Sequence, residues 1–222
     1  MIHIASAEEF KRLLDALAHD IESANIHWRL YRDLHASMGE NRVVWHQSQT
    51  FWHLTLNAHT FAALQFLSRA FDQNDRALHL LSWLRTIEAN LHFFEPDAFK
   101  KRLSGNPFVD SLAEQPRIPD AQQLAEDIAL CSASDAKVNL LVRHRNNIGA
   151  HRNAKSTVAG VASDGIPVDD LEALLNRAHI ILNRYSSLFA ASTFSRRMIG
   201  HDDYQYIVKS VTEAVERSRA GG

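Results

Sequence analysis

Leu171, Leu174, Leu175, Ala178, Ile181, Leu182, Tyr185, Leu188 and Phe189 recur at intervals of three and four residues. That spacing places them along one face of an α-helix and on alternating faces of nothing else. The same rhythm returns through most of the chain. Phe10, Leu13, Leu14, Leu17 and Ile21 follow it behind Ser6 and Glu9, whose three-residue separation is a capping-box pattern. The sequence has only eight glycines and five prolines in 222 residues, too few to punctuate many short strands. A hydrophobic share of 45% supplies a buried core and excludes disorder of the whole chain.

The first helix is expected to run from Ser6 to about Met38, where Gly39 stops it. A second begins near Asn41, carries Phe51, Leu54, Ala58, Phe61, Ala62 and Phe66 or Leu67, and ends around Phe71. The polar run Asp72-Gln73-Asn74-Asp75 then reads as a turn. A third helix, from Arg76, carries Leu78, Leu81, Leu84 and Leu91 and stops before Pro96. Residues 103–119 read as a loop with at most one helical turn. Pro119 and Asp120 open a further helix, interrupted near Ser132 to Asp135, that continues into Val138, Leu141 and Val142. Residues 154–167 form a second loop, Pro167 to Asp170 start the strongest helix, and Asp202 or Asp203 starts the last. The run Arg42 to Trp45 is β-like but too short to seed a sheet. The expectation is an all-α fold: a single domain over residues 1–222, a bundle of about six or seven helices with long antiparallel core helices.

Composition narrows the chemistry. Net charge is −2, which excludes a globally basic nucleic-acid binder while allowing a local basic patch. A single cysteine, Cys131, excludes an internal disulfide framework and a thiolate zinc cage, and its apolar setting reads as packing rather than nucleophile. Residues 1–10 carry Glu8 and Glu9 and lack a basic segment followed by an apolar run, and no stretch approaches the ~20 apolar residues that span a bilayer. A cytoplasmic protein without membrane contact is expected. His27, His35, His46, His53, His59, His79 and His92 show no HExxH motif and no i, i+4 pair, so neither a metal nor another cofactor is expected. Trp28, Trp45, Trp52 and Trp83 read as core or interface aromatics. Neither a glycine-rich phosphate loop nor a nucleophile elbow is present.

The segment RHRNNIGAHRNAK, Arg143 to Lys155, concentrates Arg143, Arg145, Arg152 and Lys155 without one acidic residue. Placement is more informative than charge. Val138, Leu141 and Val142 define a buried stripe, and Arg145 continues it, four residues beyond Leu141 and seven beyond Val138. An arginine aimed inward near a helix end pairs with a buried carboxylate, faces a cleft, or faces a partner chain. His151, six residues on, lies about 120° around an ideal helix from Arg145, and Gly149 permits a loosened turn that brings them closer.

Arg145-Asn146-Asn147-Ile148-Gly149-Ala150-His151 resembles the signature of the HEPN superfamily: an arginine, a polar residue, and a histidine a few residues later. Ala62 to Asp72, a helix ending in a small-residue, Arg, Phe, Asp pattern before a polar turn and a Leu-rich helix, resembles the abortive-infection, AbiU-type branch. The resemblance implies a metal-independent endoribonuclease in phage defence or a toxin. It implies that His151 moves a proton at the ribose 2′-hydroxyl or the leaving oxygen, with Arg145 holding the scissile phosphate. Asn146 orients the phosphate or the histidine, Asp72 is a candidate supporting acid, and Arg143, Asn147, Arg152 and Lys155 are candidate RNA contacts. RNA, a second copy of the chain in a homodimer, and an antitoxin protein are the partners it implies. Two other readings stay open. Arg145 is a structural cation paired with Glu22, Asp72 or Glu88 and His151 a helix-end cap, or the bundle is catalytically inactive and binds RNA or a protein partner.

Overall fold

The computed structural model describes residues 1–146, 158 and 165–220. Among them are ten α-helices and one 3₁₀ turn, and no strand. The class is all-α, as expected, but the count exceeds six or seven because several expected helices divide or are short. The helices are α1 (Ala7–Glu40), α2 (Arg42–Gln47), α3 (Gln49–Ala70), α4 (Leu80–Ala89), α5 (Pro96–Arg102), α6 (Val109–Ala113), α7 (Ala121–Leu130), α8 (Ala136–His144), α9 (Val168–Ala190) and α10 (Tyr204–Ala220). The 3₁₀ turn, Leu91–Phe94, lies between α4 and α5.

Caps explain several boundaries. The Ser6 Oγ accepts the Glu9 N–H at 3.2 Å, and the Glu9 carboxylate accepts from Ala5 N–H rather than from Ser6. Asp120 caps α7 by accepting from Gln123 N–H, and Asp135 caps α8 by accepting from Lys137 and Val138. The expected third helix starts four residues late because His79 caps it: its ring accepts from Ser82 N–H while Ser82 Oγ accepts from His79 N–H. The expected second helix is two, since Ser48 leaves the helical region at φ −143°, ψ 49°. The β-like run Arg42 to Trp45 is helical, inside α2.

The chain divides into two compact units, Met1–Glu22 with Gln65–Phe194, and Ser23–Leu64 with Ser195–Gly222. In the first, Phe10, Trp83, Phe94 and Phe189 form an aromatic cluster, with Phe10 centroids 5.8, 5.6 and 4.6 Å from the other three. Leu171, Leu174, Leu175, Ala178, Ile181, Leu182, Tyr185 and Phe189 of α9 are all buried. Asp127, also buried, accepts from the Tyr185 hydroxyl at 2.8 Å and pairs with Arg184. In the second unit α2 packs on α10, and Leu34, Val44, Trp45, Trp52 and Val208 make a smaller core, with Trp45 and Trp52 centroids 4.6 Å apart.

One expected stripe is turned away. Phe51, Leu54 and Phe61 of α3 are more than half exposed, whereas Trp52, Ala63, Leu67 and Ala70 are buried. With apolar residues on both sides of the first half of α3, spacing alone does not choose between them. Among the described residues no helix is long and apolar enough to cross a membrane.

Candidate functional site

Phe71 is buried at the end of α3 and anchors the turn that follows. Asp72 Oδ1 accepts the N–H of Gln73 at 2.7 Å and of Asn74 at 3.2 Å, so the carboxylate shapes its own turn. That oxygen also accepts from Arg145 Nη1 at 2.5 Å. Burial works against the Asp72 anion, but the Arg145 and Gln73 donors outweigh it and hold the carboxyl below the usual carboxylate range.

Arg145 reaches this turn because α8 is fixed at its start. Asp135 caps α8 and pairs with Arg177 at 3.0 Å, Lys137 pairs with Asp170, and Val138 and Leu141 are buried. Helical spacing then carries Arg145 along the inward face, where it meets a carboxylate. Of the three acids considered from sequence, Asp72 is the partner. Yet the Arg145 side chain keeps 31% exposure, against 14% for Asp72. Among the described residues the guanidinium donates through Nη1 to Asp72. At Arg145 and Asn146 the winding loosens to a π-helical turn, a form that recurs at functional sites.

Asn146 and Arg143 are exposed. Asn147, His151, Arg152 and Lys155 lie outside the described residues, as do Gly149 and residues 154–157 and 159–164 of the second expected loop. Residues 165–167 of that loop are irregular and lead into α9. Cys131 is buried, and burial raises its thiol above the ordinary value, in keeping with a packing role. Among the described residues no group of three or more His, Cys, Asp or Glu side chains gathers to hold a metal ion. His27 and His59 do meet, Nδ1 to Nδ1 at 2.9 Å, across α1 and α3.

Two residues near the pair escaped sequence reasoning. Gln73 lay inside a polar run read only as a turn, and nothing local marks its bonds to residues about 60 positions away. His79 is buried as the α4 cap, accepting from Ser82 at one nitrogen and bonding Asn74 O at the other. Burial lowers its proton affinity despite the Asn74 bond and the nearby Asp72 charge, and burial likewise lowers His27, His59 and His144.

These four histidines set a pH dependence. Their folded-state values lie below the unfolded value of about 6.5, so the unfolded chain binds more protons as pH falls through that range. Stability is therefore full above about pH 7 and falls as pH drops below about 6.5. Asp20 and Glu22, raised by burial, act oppositely, but in the lower carboxylate range. Urea denaturation is expected to show a lower midpoint at about pH 6 than at about pH 7.5, and an unchanged or higher midpoint would contradict this account.

A family model of HEPN type, AbiU2, matches residues 7–209. No curated protein and no solved structure matches the chain.

Proposed function

The chain belongs to the AbiU2 family of HEPN-type proteins, and from that membership we propose that it is a metal-independent endoribonuclease acting in phage defence or as a toxin. The observation that carries the reading is Arg145, tethered to Asp72 through a single nitrogen and still one-third exposed. Such a guanidinium is pre-oriented for a phosphodiester.

In this reading Arg145 holds the scissile phosphate and stabilises the charge that develops on its oxygens. His151 takes the proton of the ribose 2′-hydroxyl, whose oxygen attacks phosphorus as the bond to the 5′-oxygen breaks. A second copy of the chain, in a homodimer, brings a second His151 to protonate the departing 5′-oxygen. Asn146 orients phosphate or histidine, and Asp72 supports Arg145. Arg143, Asn147, Arg152 and Lys155 steer the RNA backbone, and an antitoxin protein holds the activity in check.

Purified protein incubated with single-stranded RNA and excess chelator is expected to cut it to 2′,3′-cyclic phosphate and 5′-hydroxyl ends. DNA of the same sequence, lacking the nucleophile, stays intact. One observation favours a second reading: the Asp72 carboxylate already neutralises part of the Arg145 charge. RNA that binds but is never cut, with or without metal, replaces the nuclease by an inactive bundle that binds RNA or a protein partner.

A further inference from the structure

The Gln73 side chain makes four hydrogen bonds at one junction. Its two Nε2 hydrogens are shared among three carbonyls, those of Phe71 at 2.9 Å, Asp72 at 3.0 Å and Cys131 at 3.1 Å. Its Oε1 accepts the N–H of Ala133 at 3.1 Å. Cys131 and Ala133 belong to the turn between α7 and α8, so one amide grips that turn from both sides, as a paired strand does. The backbone N–H of the same residue is the 2.7 Å donor to Asp72 Oδ1. Gln73 therefore touches the Asp72 carboxylate through its main chain and the base of α8 through its side chain.

We propose that Gln73 is a positioning residue for Arg145, latching the turn that carries Asp72 to the turn that launches α8. The inference rests on reading Arg145 as the phosphate-holding group. The physical reason is leverage. Arg145 stands ten residues beyond Asp135, about 15 Å along a helix axis. A tilt of about 10° at the α7–α8 turn moves its far end by about 2.5 Å, which breaks a short ion pair. Burial of Val138 and Leu141 and the Asp135–Arg177 and Lys137–Asp170 pairs hold the start of α8, but neither pair involves the Asp72 turn, so the distance from that turn to the α7–α8 turn is set by other bonds. The Gln73 amide spans that distance. A glutamate in its place presents a carboxylate to three carbonyls, and an alanine leaves the Cys131 carbonyl and the Ala133 N–H without this partner.

Three variants, Gln73→Ala, Asp72→Asn and the two combined, are compared in single-turnover RNA cleavage, with Gln73→Met as the variant that keeps side-chain bulk. Each single change is expected to lower the cleavage rate at saturating RNA roughly tenfold or more, with little change in half-saturation. The combined variant is expected to be no slower than the worse single one, because Gln73 acts through Asp72. Losses that multiply overturn the proposal. A second readout needs no activity. In ¹⁵N spectra of the Arg145 guanidinium, the Asp72 pair is expected to slow rotation and give two resolved Nη signals in the parent protein, merged in Gln73→Met and in Asp72→Asn. Resolved signals that persist in folded Gln73→Met overturn the latch. Merged signals in the parent protein overturn it as well, whereas signals resolved in the parent and merged in both variants uphold the latch even where no RNA is cut, and leave only the nuclease reading to fail.

Discussion

Arg145→Ala is expected to lower RNA cleavage by about 10²–10³-fold or more, the effect of removing one preorganised donor to developing charge. The orientation that Asp72 gives Arg145 is the physical basis for an effect of this size. Asp72 holds one nitrogen of the Arg145 guanidinium at 2.5 Å, and the side chain keeps 31% exposure. Arg145→Lys keeps a charge for Asp72 and so serves as the folding control, but it lacks the planar fork that takes two phosphate oxygens at once. It is expected to restore the thermal transition while leaving cleavage at least about tenfold below the parent rate. His151→Ala is expected to match the loss in Arg145→Ala, since acid–base transfer contributes about 10²–10⁴-fold. Cleavage by Arg145→Ala within about threefold of the parent, at equal folded fraction, removes this arginine from the chemistry.

Phe10→Ala is expected to destabilise the protein by about 3–5 kcal/mol, a large part of the 5–15 kcal/mol available to a typical domain. Phe10 is fully buried and touches rings from three other elements: Trp83 of α4, Phe94 of the 3₁₀ turn and Phe189 of α9. Truncation leaves a cavity whose walls are held apart by three large rings, so relaxation recovers little. Phe10→Leu fills most of the space and is expected to cost under about 1.5 kcal/mol. Urea denaturation of both variants measures the difference, and a loss under about 1 kcal/mol for Phe10→Ala would place the weight of the core elsewhere.

Phe10 was recognisable as core from its place behind the Ser6–Glu9 signal and ahead of Leu14 and Leu17. Arg145 was recognisable as an inward-aimed cation from Val138 and Leu141. Its partner was not, because helical spacing says which way a side chain leaves its own helix and nothing about the element opposite. The interruption between α7 and α8 followed from Ser132 to Asp135, a run rich in residues that bond their own backbone. The break at Ser48 carried no comparable signal. It accompanies the meeting of Trp45 with Trp52, a contact between segments of similar local preference.

Local preference and periodicity determined the all-α class, the buried face of α9, the cap at Ser6, the helix start at Asp120, the interruption before α8, and the residue that would need a counter-charge. Each is decided within one or two helical turns, where backbone geometry and side-chain spacing suffice. Tertiary structure decided that Asp72 rather than Glu22 or Glu88 meets Arg145, that α3 buries Trp52 and exposes Phe51, and that Gln73 bridges two turns. Those choices pit nearly equivalent local options against one another. Only packing of segments distant along the chain, where burial and unpaired charge carry their full energetic weight, separates them.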